Sequence, residues 1–248
     1  MELLSIGGLV LALCAILAGN YLDGGHLRAL VNLPALLIVL GGTVGAVMIQ
    51  TPYRIFLGSI TMLSWVVNRP VSIQEKEIKK LVKLTVVSRK EGLIGLEDYI
   101  DKEKDLFLKQ GIELLVEGHS PGKIRRIMEL RLDAYEGRQL RYAKVYEAMG
   151  GYAPTIGILG AVLGLIHVMQ NLADPEKLGP GVATAFLATI YGVGLANLFF
   201  LPVGNKLKSV VFEISTRKEI IVEAVVSIAE GQNPRHVMAK LLAMSEEG

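Results

Sequence analysis

GGYAPTIGILGAVLGLIHVMQNLADPEKLGPGVATAFLATIYGVGLANLFFLPVGNKL, running from Gly150 to Leu207, is the stretch that decides the fold. From Ala148 to Ala173 it holds no Asp, Glu, Lys or Arg, and His167 is its one histidine. A second uncharged run lies between Lys177 and Lys206. Each run is long enough to cross a bilayer as a helix, which takes about 20 residues. Neither is the Leu-rich run that contact with lipid alone would need. Gly150, Pro154, Gly157, Ala161 and Gly164 recur at helical spacing in the first, and Ala185, Thr189, Gly192 and Ala196 in the second. Steps of three and four keep such residues on one face, where small side chains let a second helix approach closely. Pro154 and Pro202 each remove a backbone donor where lipid offers no substitute, so something in the assembly must compensate.

Composition agrees with a membrane protein that has a substantial polar part. Of 248 residues, 51% are hydrophobic and 20% charged, with a net charge of +2. That profile argues against a soluble enzyme, and the near balance of charge gives no case for a nucleic-acid partner. The single cysteine, Cys14, lies in an apolar run and has no internal partner for a disulfide;.

Working outward, Leu3–Gly19 is uncharged and just long enough to span. It lacks the basic leader of a signal peptide, and Glu2 is acidic, so a retained helix is expected;. Asn20–Asn32 reads as a short polar loop, and Leu33–Gln50 as a second span with Gly41, Gly42, Gly45 and Ala46 as its small face. From Arg54 to Glu147 charge is dense, yet Ile78, Leu81, Val82 and Leu84 to Val87 interleave with Lys79, Lys80 and Lys83 as on an amphipathic helix;. Ser120 is placed to cap a helix that begins at Pro121. After Lys206 an amphipathic tail follows, broken by Gly231, with a last helix expected over Pro234–Met244. The fold class is therefore an all-α membrane protein with four transmembrane helices. A helical cytoplasmic domain lies between helices 2 and 3, and a helical cytoplasmic tail ends the chain. The expected divisions are a hairpin over residues 1–51, the cytoplasmic domain over 52–147, a second hairpin over 148–204 and the tail over 205–248. Nearly all Lys and Arg fall in the middle segment and the tail, which places both termini in the cytoplasm.

The chemistry turns on an absence. None of the four runs contains Asp, Glu, Lys or Arg. An ion-driven machine needs an ionisable group in the membrane, so either this chain carries no ion or a partner supplies the carboxylate. The polar groups of the last two runs include Thr155, His167, Thr184, Thr189, Tyr191 and Asn197. Thr189 either lines a water or ion path or bonds the carbonyl one turn back. Gly118–Lys123 has the wrong spacing for a phosphate loop, zinc spacing is absent, and no G-x-S-x-G elbow occurs;.

Several stretches resemble the MotA family of flagellar stator subunits, with its PomA and MotC branches. Ala153-Pro154, Gly157, Gly160 and Gly164 resemble the family's third membrane helix. Ala185-Phe186, Ala188-Thr189, Tyr191-Gly192, Ala196-Asn197, Pro202 and Lys206-Leu207 resemble its fourth. RKEGLIGLE, from Arg89 to Glu97, is similar to a cytoplasmic signature, as are Gly118, Pro121, Ile124-Arg125 and Glu129, and Asn233-Pro234-Arg235 with Lys240-Leu241. The resemblance implies a MotB-like partner with one span, which bears the ion-binding aspartate and anchors to peptidoglycan. It also implies a homopentamer around two partner chains, and torque passed to the rotor protein FliG. Pro154 and Pro202 would be the coupling prolines, with Thr155 beside the first. Thr189 would be the threonine beside the partner's aspartate, and Arg89 and Glu97 the rotor contact. Ala161 stands where sodium-driven members tend to have Thr, which implies protons as the driving ion. No cofactor, metal or enzymatic activity is expected. An ExbB- or TolQ-like energising subunit is the neighbouring alternative, but it usually has one helix before its cytoplasmic segment.

Overall fold

The structure, a computed structural model, describes residues 3–68 and 75–246. Glu2, which entered the reading of a retained first helix, lies outside the described residues. Those residues form helices and no strand. In order they are α1 (Leu3–Leu22), α2 (Leu33–Gln50), α3 (Tyr53–Met62), α4 (Glu75–Glu91), α5 (Glu97–Ile100) and α6 (Leu106–Val116). Then come α7 (Pro121–Gln170), α8 (Pro175–Leu195), α9 (Leu201–Ala229) and α10 (Pro234–Glu246). Short 3₁₀ turns cover Leu27–Leu30, Leu63–Val66 and Leu93–Leu96, and a π turn, Ala196–Phe200, joins α8 to α9. Three helical stretches are long and apolar enough to cross a membrane: Leu27–Gln50, Pro121–Gln170 and Leu178–Ala229. Gly7–Leu22 is a shorter apolar helix. Within the loop expected over Asn20–Asn32, α1 continues to Leu22 and a 3₁₀ turn covers Leu27–Leu30.

The chain divides into two compact units. One comprises residues 1–69 and 140–208, the other 70–139 and 209–248. In the second unit α4, α6, α10 and parts of α7 and α9 share one core. Ile78, Leu81 and Leu84 meet Leu108, Ile112, Leu115, Ile124, Met128, Ile220 and Ile221 there. Each such burial stabilises by about 1.5–3 kcal/mol relative to exposure. Gly111 sits where a Cβ would come within 2.8 Å of Val225 and 2.9 Å of Met128, so α6 lies close on its neighbours.

Ion pairs fix the rim of that core. The Asp105 carboxylate accepts from the N–H groups of Phe107 and Leu108 at 2.8 and 3.2 Å, which caps α6;. Its other oxygen accepts from Arg217 at 2.6 Å, and Arg217 also grips Glu77 of α4. Glu223 of α9 accepts from Arg125 of α7 at 2.8 Å and from Lys240 of α10. Lys218 lies between two rings, 4.4 Å from Phe107 and 4.1 Å from Tyr135, and its burial lowers its pKa;.

Burial by itself would raise the carboxyl pKa of Glu223 and of Asp105. The hydrogen bonds from Lys240 and Arg125 in the first case, and from the α6 backbone and Arg217 in the second, outweigh it and hold both below the ordinary range;. Carboxyl groups of lowered pKa contribute stability that is complete above the ordinary carboxyl range and lost as pH falls through it to the folded value. Glu223→Gln should therefore lower the thermal midpoint of the full chain at pH 7, by an effect of order 1–3 kcal/mol. It should also flatten the loss of stability on the acid side. Circular-dichroism melts between pH 3 and 7 check this, and parallel curves for both proteins would show that the pair contributes nothing.

In the first unit α2 packs on α8 through Ala35 and Val39 against Leu187 and Ala188. Asn32 caps α2 by accepting from the Ala35 N–H at 2.9 Å, and its amide donates to the Thr184 hydroxyl at 3.0 Å. The Asn32 N–H donates to the Tyr191 hydroxyl at 2.9 Å, and that hydroxyl donates to the Leu30 carbonyl at 2.5 Å. Although charge becomes dense after Arg54, Ile55–Val67 carries none, and its helix α3 packs within this unit. Gly58 lies on the Tyr142 ring, and the Tyr146 hydroxyl donates to the Ser59 carbonyl at 2.9 Å. Side chains of α1 from Gly7 onward are almost all exposed.

Candidate functional site

The small residues of α7 and α8 meet backbone to backbone. A Cβ added at Gly157 would stand 2.8 Å from the Ala188 carbonyl oxygen and 3.1 Å from the Gly192 Cα. One added at Gly192 would stand 2.5 Å from the Ala153 oxygen, and one at Gly164 would stand 2.7 Å from the Ala185 nitrogen. At these contacts glycine lets the backbones approach, which is how apolar helices gain close packing without a hydrophobic driving force;. Gly160 completes the ridge, packed between Ala188 and Ile38 of α2.

The opposite faces of the two helices are uncovered within the chain. Ile158, Leu159, Val162 and Ile166 are exposed on α7, and Phe186, Ile190 and Val193 on α8. Thr155 is exposed, and its hydroxyl donates to the Tyr152 carbonyl at 2.8 Å. Thr189 is half-buried, and its hydroxyl points to the Ala185 carbonyl one turn back, at 3.4 Å. Ala161 is also half-buried. It follows Gly160 and Thr189 follows Ala188, so the packed pair brings these two candidates to one level of the hairpin.

The prolines are treated differently. At Pro154 the helix continues unbroken, so the Gly150 carbonyl receives no N–H from residue 154;. At Pro202 the helix departs from α geometry. The chain widens into the π turn just before it, where the Leu201 N–H donates to the Ala196 carbonyl five residues back. Such bulges occur inside α-helices frequently at functional sites. A Cβ at Gly150 would lie 2.5 Å from the Leu201 side chain, so the turn softened by Pro154 touches the residue just before Pro202. Nothing in the hydropathy pattern signals the π turn. Pro202 alone marks a disturbance there, and the direction of the adjustment depends on packing.

Arg89 and Glu97 belong to the second unit and are exposed. Arg89 is in the last turn of α4 and Glu97 opens α5. Between them Gly92 turns the chain at φ 77°, which favours glycine;. Among the described residues no group of three or more His, Cys, Asp or Glu side chains could hold a metal ion. The described parts of the apolar helices offer no carboxylate between Leu33 and Gln50, from Ala148 to Ala173, or from Leu178 to Lys206.

Fold and composition together fit a multi-pass helical membrane protein. Residues 99–220 match the model of the MotA/TolQ/ExbB proton channel family, and residues 6–92 match the N-terminal model of motility protein A. Motility protein A of Bacillus subtilis is 34% identical over 244 residues, covering 98% of this chain and 90% of that protein. Among solved structures, MotAB of C. jejuni superposes with a TM-score of 0.92 at 32% identity, covering 98% of this chain and 96% of that one. The flagellar MotAB stator complex from Bacillus subtilis gives a TM-score of 0.87 at 34% identity, covering 97% and 95%. This chain belongs to the MotA family of flagellar motor stator subunits.

Proposed function

We propose that this chain works with a MotB-like partner as a flagellar stator that conducts protons and turns their flow into torque. The observation that carries the reading is a closely packed pair of spanning helices with uncovered apolar outer faces and no carboxylate. A partner helix bearing an aspartate completes such a site, since ion transfer through a membrane needs an ionisable group. In this reading α1, α2, α7 and α8 are four spans in the inner membrane, and both termini are cytoplasmic. The divisions at residues 51, 147 and 204 mark where the chain crosses into and out of the apolar layer. Five copies surround two partner chains that anchor to peptidoglycan. Thr189 and Thr155 line the path with Ala161. Pro154 and Pro202 couple the path to the cytoplasmic domain, and Arg89 and Glu97 push FliG. Ala161 supports protons, because a sodium ion needs several oxygen ligands at this level and alanine offers none. The chain is no enzyme and needs no cofactor; the ion gradient drives it. The match over residues 6–92 to the motility protein A N-terminal model supports this reading over an ExbB-like one.

Reconstitution tests it. Liposomes holding this chain alone should show no proton flux above background. Adding the partner should give flux that follows the proton gradient and ignores sodium. Flux from the isolated chain, or flux that requires sodium at constant proton-motive force, would overturn the reading.

A second expectation concerns the charged pair. Arg89→Glu or Glu97→Lys should reduce swimming speed severalfold while the complex still assembles. Exposed charges contribute about 1 kcal/mol or less to folding, so the effect must come from lost engagement. Motility scored beside native-gel migration checks this, and loss of the assembled band would make the pair structural.

A further inference from the structure

We propose that this chain holds one anionic glycerophospholipid in a cavity bounded by the start of α1, the 3₁₀ turn after α3 and the π turn. The cavity is about 750 Å³ and is lined by Gly8, Ala12, Leu63, Leu198, Val203 and Lys206, among others. That volume lies inside the ~300–1,000 Å³ range of ligand sites. Asn197 and Lys206 are the only polar side chains among those lining it. An occupant must therefore be almost wholly apolar, with a single polar end that tolerates an ammonium.

Sequence position sets where that end lies. Lys206 is the first charged residue after the uncharged run that begins at Leu178. It marks where the helix leaves the apolar layer, as lysines do when their stems stay buried and their heads reach the interface. An acyl chain filling the cavity places its phosphate at that level, where Lys206 meets it as a point charge. The Asn197 amide donates one N–H to the Val193 carbonyl at 2.9 Å. Lys206 is the one charged side chain among those lining the cavity, so recognition of the anion falls to it. The lipid would lie along Pro202 and the π turn, against the one stretch where the helix departs from α geometry. Its presence there would fill the space into which that turn could otherwise relax. The assignment of leaflet rests on the orientation proposed above; the cavity itself does not.

The test uses the full complex with its partner, purified in mild detergent after growth on native lipid. Native mass spectrometry should count one retained phospholipid per copy of this chain. After delipidation and incubation with equal amounts of phosphatidylglycerol and phosphatidylcholine of matched chain length, phosphatidylglycerol should be favoured at least tenfold. A Cβ at Gly8 meets nothing within 4 Å, so Gly8→Phe enters the cavity without disturbing the helix and should cut retention at least tenfold. Ala12→Phe should do the same from one turn further on. Lys206→Gln should leave a lipid bound but remove the headgroup preference. A benzophenone amino acid in place of Leu198 should form its adduct with phospholipid, a readout that survives should the Phe variants fail to assemble. No retained phospholipid, equal retention in both Phe variants, retention of free fatty acid alone, or an adduct to a second copy of this chain would each overturn the proposal. Ser245→Cys in a Cys14→Ser chain, labelled from outside the cell, would refute the orientation alone and leave the lipid count standing.

Discussion

Gly192→Ala is expected to abolish the assembled stator. The added methyl would lie 2.5 Å from the Ala153 carbonyl oxygen and 3.0 Å from the Gly157 Cα. Neither atom is the end of a flexible side chain, so α7 and α8 must part along their ridge. Overpacking in a tight core costs about 1–3 kcal/mol, occasionally more, and contact with a carbonyl oxygen belongs at the upper end. Separation at Gly192 also loosens Gly164 against Ala185 and Gly160 against Ala188. Because each 1.4 kcal/mol is about tenfold, recovery of complex should fall at least tenfold. Gly194→Ala is the control. It stands two residues away on the same helix, and its Cβ meets nothing within 4 Å. Size-exclusion profiles of both variants with the partner decide the matter. Equal, normal recovery would mean that the helices do not rely on this approach.

Much of that interface was legible from spacing alone. Gly157, Gly164, Ala185 and Gly192 were on the expected small faces, because a helix keeps residues three and four apart in line whatever surrounds it;. The amphipathic α4 was equally plain, and its Ile78, Leu81 and Leu84 are buried as the alternation with lysines requires. What escaped has a common cause. The continuity of α7 from Pro121 to Gln170 crosses from charged to uncharged sequence, and composition suggests a boundary there where the backbone has none. Helix α3 was hidden for the converse reason, since its apolar residues follow Arg54 and precede a charged segment. The π turn depends on a shift of hydrogen-bonding partners that no side-chain pattern encodes. Thr189 stood out on its small face with two uses open, and the roles expected of Ala161, Arg89 and Glu97 come from resemblance, because a hydroxyl bonded one turn back and a solvated charge look the same with or without a function.

The replacement Pro154→Ala should leave the complex assembled and nearly abolish its torque. Proline in a helix interior costs up to about 3 kcal/mol relative to alanine, so the substitution can only firm α7. Its new N–H reaches the Gly150 carbonyl, which is the bond that proline withholds. The turn so repaired packs on Leu201 through Gly150, and Leu201 stands between the π turn and Pro202. The turn that Pro154 leaves one bond short thus meets the end of the π turn at one point of contact. If both serve only to bend the helices, one repaired bond changes little, since the surrounding packing already holds the shape. If they flex together as the partner's carboxylate gains and loses its proton, stiffening one removes the motion while every static contact remains. The two cases separate in a single strain. Partner co-purification should be at least that of the parent chain, while the speed of tethered cells should fall more than tenfold. A fall in both would mark Pro154 as structural. Normal speed with normal co-purification would show that the turn is a fixed kink, and coupling would then have to run through some element other than the Gly150–Leu201 contact.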